Sequence, residues 1–513
     1  MFRMPSAAEP LAQSFRYAFT RPTCERFLTL VCGVIVTMGR RTVSRALRVM
    51  QPHLRGHWCN YHRVYSQARF SMWKLAAALA RQAVALLPAN QPIVLIVDDT
   101  VQEKQGRKVW AKGAHRDAHR SSRSHAGITF GHKWLVMCVL ASLPGMARPW
   151  ALPVLCGLCR PPKAARKTGQ RQKTPAQLSL QLLMQMMRWF PRRRFILLGD
   201  SRAVSNAVAC FAWRHRDRVT VISRLRADAN LYDPPSPGSR AKKGKKKPSP
   251  QMQAEHLSPV TQAVNWYGAS RRKVSHVSDT ALWYSHHNHQ VVPIRWVCVL
   301  ADAKLKMEAA YFYSTDPDLP AKRIIELYAL RWNIEVTFEE SRALLGWQTT
   351  RHWCRQSVLR VTPILLGLFT AVALIWKELS AKTKDARSQR FSQTPCYRKS
   401  TMTFADALFW VRRELWECTL LGHRNSQRCP GGWLHSLPRS VRSTVICYLA
   451  AAAWAAMCKS QGYLLYPRGP GTKKEFEGKK EKKRKGARFQ TFTPSLPQHI
   501  RHSPPPPSGF PKH

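Results

Sequence analysis

Acidic side chains are scarce in this chain: 28 Asp and Glu stand against 83 Lys and Arg over 513 residues, a net charge of +55. That balance argues against a small-molecule enzyme and for a polyanionic partner, because each phosphate neutralised releases condensed counterions. A membrane surface or a heparin-like polymer answers the charge alone. Runs long enough to cross a bilayer are lacking too. VTPILLGLFTAVALIW (361–376) and STVICYLAAAAWAAMC (443–458) are each 16 residues long, against about 20 needed, and the first carries Pro363 and Gly367. Both read as buried helices, with no membrane as partner. The opening MFRMPSAAEP has no apolar secretion core, so the expected compartment is the cytoplasm, at the nucleoid. Fourteen cysteines are scattered, and Cys156-x2-Cys159 has no second pair or histidines at ligand spacing. Reduced, buried thiols are therefore expected rather than structural zinc.

Where acids are few, their positions carry information. An apolar, β-branched run from Ile93 to Val97 ends in Asp98, Asp99 and Thr100, and Phe195 to Leu198 lead through Gly199 to Asp200. Both runs read as interior strands, and ligand sites in open α/β sheets lie beyond such carboxyl ends. Asp98 and Asp99 should point to opposite faces, so only one reaches a given site. For Asp200 the plainer alternative is an N-cap of the helical text AVSNAVACFAW.

A third acid sits in Tyr328 to Trp347, YALRWNIEVTFEESRALLGW. On one continuous helix at roughly 100° per residue, Tyr328, Arg331, Glu335 and Arg342 fall within an arc of about 60°. Leu327, Leu330, Ile334, Phe338 and Leu345 form the stripe beside it, and Glu339 falls near the face of Glu335. An amphipathic helix with solvated charges has the same pattern. Two strand-end aspartates and a helical glutamate are hard oxygen ligands suited to Mg²⁺ or Mn²⁺. Two such ions about 3.5–4 Å apart clamp a phosphodiester during in-line displacement.

The spacing Tyr328-x2-Arg331-x3-Glu335-x6-Arg342 resembles the signature of bacterial insertion-sequence DDE transposases of the cut-and-paste type. That family usually has Lys at the last place; Arg342 keeps the charge but is a planar fork rather than a point charge. Lys104, Gly106 and Lys108 followed by GITFGHKWLVMCVL, and VTVISRLRADANLYDPP from Val219 to Pro235, are similar to further segments of the family. The resemblance runs from about Arg55 to Ile375. It implies an α/β, RNase H-like catalytic core with a β-rich insertion, flanked by helical regions. It also implies catalytic and metal-ligating roles for Asp98, Asp200 and Glu335, with Asp99 and Glu339 as alternative ligands. The family's aspartate commonly stands two places before Thr or Ser, as Asp98 does. Two Mg²⁺ or Mn²⁺ ions, DNA contacts from Tyr328, Arg331, Arg342 and Lys104, and a homodimer pairing two DNA ends complete what it implies. The alternatives are a decayed transposase that only binds DNA and a stand-alone metal-dependent nuclease.

The expected organisation is an N-terminal helical DNA-binding region (1–88), a first part of the core (89–225), a basic loop and β-rich insertion (226–318), and the Glu-bearing helix with the next helix (319–380). A C-terminal helical region (381–468) and a disordered basic tail (469–513) follow. TMGRRTVSRALRVM (37–50) reads as helix-turn-helix-like, with Thr42 or Ser44 as cap and Arg40, Arg41, Arg45 and Arg48 available to phosphate. Lys242 to Lys247 read as a disordered, phosphate-seeking loop. Trp266 and Trp296 suit base stacking or, more simply, sheet packing. His125 and His132 suit DNA contact or, more simply, packing and solvation.

Overall fold

In the computed structural model the described residues are 4–421, apart from 117–120, 122–123, 126, 168, 170, 268–269, 286–289, 303–306 and 383–400. The second apolar run (443–458) and the basic tail lie outside them. The chain divides into two compact units, Met1–Leu300 with Ala309–Ile446, and Ala301–Glu308 with Cys447–His513. All that follows concerns the first.

Its centre is a mixed sheet of eleven strands: β1 (Ile93–Glu103), β2 (Gly113–Arg116), β3 (Ile128–Ala141), β4 (Trp150–Cys159), β5 (Phe195–Gly199), β6 (Val219–Arg224), β7 (Leu231–Tyr232), β8 (Val260–Asn265), β9 (Arg271–Ser285), β10 (Gln290–Val299) and β11 (Ala310–Ser314). The order is β2-β3-β1-β5-β6-β11-β10-β9-β7, with β4 also on β3 and β8 on β9. β1, β5 and β6 run parallel, and β3 and β4 run antiparallel beside them. The β-rich segment between Asp200 and Glu335 extends this same sheet, because β11 pairs with β6. Leu95, Ile96 and Val97 are fully buried, as expected for a run covered on both faces.

The apolar run around Asp98 does not end there as a strand. β1 continues through Asp98 and Asp99 to Glu103 against β3, while its parallel partner β5 stops at Gly199. Beyond Val97, side chains on one face of β1 recur every second residue, and each is engaged by the segment 331–350. Arg331 meets Asp98, Arg342 donates to the Thr100 hydroxyl, Gln102 donates to the Trp347 carbonyl, and Lys104 Nζ donates to the Thr350 carbonyl at 3.1 Å and hydroxyl at 2.9 Å. The long helix Arg355–Lys382 backs this face, its Thr362 hydroxyl donating to Gln102 Oε1 at 2.9 Å. Among the described residues it is the one helix long and apolar enough to cross a membrane, and 78% of its apolar window is buried in protein.

Several sequence expectations change. The lysine run 242–247 is built into the sheet edge: Lys243 lies 3.9 and 3.6 Å from the ring centres of Tyr232 and Tyr284, and Lys247 pairs with Asp279 at 2.7 Å. Facing aromatic rings and a carboxylate order the segment, leaving Lys242, Lys245 and Lys246 exposed. Trp296 and Trp266 are buried packing residues. In the helix-turn-helix-like text, Thr42 does cap the helix Val43–Val49, accepting from the Arg45 N–H. Arg41, however, is buried, its guanidinium donating to the Gly39 carbonyl, and burial lowers its pKa to about 10. It is a structural side chain rather than a free phosphate contact. His132 is fully buried and donates through Nε2 to the Trp110 carbonyl at 2.7 Å.

Close strand approach explains Gly131. A Cβ there would lie 2.1 Å from the backbone oxygen of Gln102, so Gly131→Ala is expected to destabilise the protein by about 1–3 kcal/mol, read from the urea midpoint. Burial lowers the His132 pKa from 6.5 to about 4. Between these values the unfolded chain binds the proton that the folded one refuses, so stability falls as pH drops from 6.5 towards 4. Urea titrations across that range should show a shallower dependence for His132→Asn.

Candidate active site

Parallel pairing brings two of the scarce acids together. Val97 and Gly199 are the last register pair of β1 and β5, so Asp98 and Asp200 are the next residues on strands that neighbour at about 4.8 Å. Alternation separates the other acid: Asp99 lies on the opposite face, with an oxygen 2.8 Å from Lys133 Nζ. Asp98 therefore faces the Glu335 helix, and Asp99 is neutralised behind the sheet. Asp200 also accepts from the Ala203 N–H at 2.8 Å. It closes the turn after β5, while Ser205 occupies the N-cap of the helix Asn206–Arg214.

The third element departs from the expected single helix. A helix Ala321–Ala329 ends beside a 3-10 turn, Leu330–Trp332, before the helix Asn333–Leu344 begins. The Asn333 side chain donates to the Leu330 carbonyl at 2.9 Å, competing for a backbone acceptor as short polar side chains do. Arg331 sits on this tightened turn. Its Nη1 lies 2.5 Å from Asp98 Oδ2 and its Nη2 lies 3.0 Å from Glu335 Oε1, so one fork joins the strand acid to the helix acid. The expected apolar stripe is in the core, with Leu327, Ile334, Phe338 and Leu345 buried.

The electrostatics follow from burying Asp98 beside other acids. Burial, then the charges of Asp200, Asp99 and Glu335, push the Asp98 carboxyl up to about 7, against the pull of Arg331. Burial works to lower the Arg331 pKa, but Asp98, Tyr328 and Glu335 outweigh it and hold the guanidinium firmly charged. Tyr328 is buried, its ring 4.4 Å from that of Phe312, and burial raises its phenol. It forms a wall of the site rather than an open surface for DNA. Lys104, expected on DNA, is buried at the Thr350 anchor, where burial lowers its pKa to about 8. Arg342 borders the site beside Thr100, 5.4 Å from the Trp347 ring. Glu339 is exposed, and its charge acts with that of Glu340 on Arg148. Lys133, Arg224 and Tyr267 belong to the surroundings without having been picked out from the sequence. Lys133 lay in the GHKW segment, where a basic residue beside a strand acid was a usable signal. Tyr267, whose phenol feels Tyr328, Arg331, Arg224 and Glu335, had none.

Among the described residues no three His, Cys, Asp or Glu side chains converge as a metal cage. The donor chemistry still suits a hard divalent cation, because Asp98 and Asp200 repel one another and a cation relieves that repulsion. Arg331 supplies positive charge between Asp98 and Glu335.

The fold is a mixed α/β sheet with Asp98 and Asp200 at the carboxyl ends of neighbouring parallel strands. The family described as DDE superfamily endonuclease matches residues 14–287, more than half of the chain, and this protein belongs to it. The match includes Asp98 and Asp200 and ends before Glu335. No curated protein matches the chain. Among solved structures, the chain is similar to the piggyBac transposase synaptic complex with hairpin DNA determined by cryo-EM, at 10% identity, over 83% of this chain and 78% of that one, with a TM-score of 0.38.

Removing Arg331 strands a buried carboxylate. At pH 8, Arg331→Met should cost about 3–5 kcal/mol of stability, and adding Asp98→Asn should recover most of it; urea unfolding of the two variants checks this.

Proposed function

We propose that this chain is a DDE transposase with an RNase H-like core, which cuts DNA at insertion-sequence ends and joins those ends to target DNA through Asp98, Asp200 and Glu335. One observation carries the reading: Asp98 and Asp200 follow a shared register pair on parallel strands, and Arg331 ties Asp98 to Glu335 on the helix above. The order β4-β3-β1-β5-β6 supports the RNase H-like core. Membership of the endonuclease family supports phosphodiester chemistry, and the net charge of +55 supports DNA as the partner.

In this reading Asp98, Asp200 and Glu335 hold divalent Mg²⁺ or Mn²⁺, two ions in the resembling family. When bound, the metal supplies Lewis-acid polarisation of the phosphodiester and offsets the carboxylate charge. Arg331 and Arg342 hold phosphate oxygens near the charge that develops on them. A water oxygen attacks phosphorus in line and the 3′ oxygen leaves. The freed 3′-hydroxyl then attacks a phosphodiester of the target, whose own 3′ oxygen leaves. Two protomers pair the two ends, as in the resembling family.

Purified protein with Mg²⁺ and a fragment carrying both flanking ends should cut and join. Asp98→Asn, Asp200→Asn and Glu335→Gln should each lose both steps by about a thousandfold or more, with DNA affinity retained. Cutting without joining favours a stand-alone nuclease, and binding without cutting by the unaltered protein favours a decayed, DNA-binding one. Cutting that survives all three substitutions removes these residues from the active site.

A further inference from the structure

A second cluster of chemistry lies along β1 from the acid site. From Asp98 to Lys104 is six residues, about 20 Å of strand. There the loop after β1 is fixed at Trp110, whose N–H donates to the Trp353 carbonyl at 2.9 Å and whose own carbonyl accepts from His132. Arg160 and Arg355 each place a guanidinium carbon 5.8 Å from the Trp110 ring centre. Their charges oppose one another: after burial, Arg355 is the cause that lowers the Arg160 pKa. Among the described residues, neither has a carboxylate partner.

Around this pair the surface is both aromatic and basic. Trp353, Phe130 and Ile128 are 61%, 59% and 58% exposed. Phe130 and Ile128 stand two apart on β3 and so share a face, and Lys112 lies 6.0 Å above the Phe130 ring. Arg107, Lys108, Arg116 and Arg351 complete the basic side, and Glu103 is the one described carboxylate in the same segments. Large exposed apolar side chains of this kind mark binding surfaces. Two like charges held beside one indole call for an anion.

We infer that Trp353, Phe130, Arg160 and Arg355 form a binding site for an unpaired DNA strand, which stacks its bases on the two exposed rings and sets phosphates against the two guanidiniums. Unpaired bases offer the flat faces that exposed aromatic rings take up, while the faces of a duplex are stacked within it. A second copy of the chain is disfavoured, since it brings another net charge of +55. An acidic protein meets the charge but leaves the rings unexplained. The inference rests on the proposed DNA reaction for its setting, with the site lying where a strand parted near Asp98 can reach.

The test is binding by the full-length protein in EDTA, so that cleavage plays no part. A fluorescent 20-nucleotide single strand and a duplex of the same length are titrated by anisotropy. Trp353→Ala and Phe130→Ala should each weaken single-strand binding by about tenfold, with duplex affinity within threefold and the thermal midpoint unchanged. Arg160→Gln with Arg355→Gln should reduce the single-strand salt slope by about 1.4. Equal losses on strand and duplex would overturn the proposal in favour of a general basic surface. Unchanged binding to both would overturn it outright, and if light scattering showed that the substitutions abolished self-association, the face would be a contact between copies. The active-site reading fails separately, if substitution of Asp98, Asp200 and Glu335 leaves cleavage intact while Trp353→Ala still weakens single-strand binding.

Discussion

The segment 331–350 is fastened to alternate residues of β1, and this is the constraint on which the rest of the site depends. Asp98, Thr100, Gln102 and Lys104 share one face of a strand, and Arg331, Arg342, Trp347 and Thr350 answer them in order. A shift of one residue would turn all four contacts to the other side of the sheet. The register of β1 therefore fixes the position of the Glu335 helix. It does so with polar bonds in a region where unpaired polar groups are costly, which makes alternative packings of that helix expensive.

The same device sets the charge balance. Asp98 and Asp200 stand at one end of the parallel strands, and burial there favours the neutral form of Asp98. Arg331 resists that tendency by bridging Asp98 to Glu335, while Lys133 removes Asp99 to the far face. The site is thus preorganised around a guanidinium. In the proposed reaction a divalent cation would meet these acids where positive charge is already required, and the Arg331 fork would suit a phosphate as it suits a carboxylate.

The strand-end positions of Asp98 and Asp200 were legible in the sequence because scarcity made the acids conspicuous. The pattern that put Asp98 and Asp200 after apolar runs was read correctly as to strands, and the apolar stripe of Leu327, Ile334 and Phe338 was read correctly as packed. Helical periodicity put Tyr328 beside Arg331, where it lies, but did not foresee its burial, and it smoothed over the 3-10 turn at Arg331, because the Asn333 side chain takes a backbone carbonyl that periodicity cannot see. Charge alone misread Arg41 and the lysine run 242–247, and the resemblance put on DNA a Lys104 that is buried. Lys104 and the lysine run are claimed by a carbonyl, a ring or a carboxylate distant in sequence, and Arg41 by the carbonyl of Gly39 two residues before it.

By itself the sequence determined the excess of basic charge, the strands, and that two of the rare acids stand directly after apolar strand runs, since composition and local periodicity are properties of neighbouring residues. Only the tertiary structure decided that Asp98 rather than Asp99 faces Glu335, that Arg331 joins them, and that Trp353 is exposed beside two arginines with no carboxylate partner among the described residues. Those outcomes depend on strand register and on contacts across more than 200 residues, where the face a side chain takes is set by what the rest of the chain packs against it.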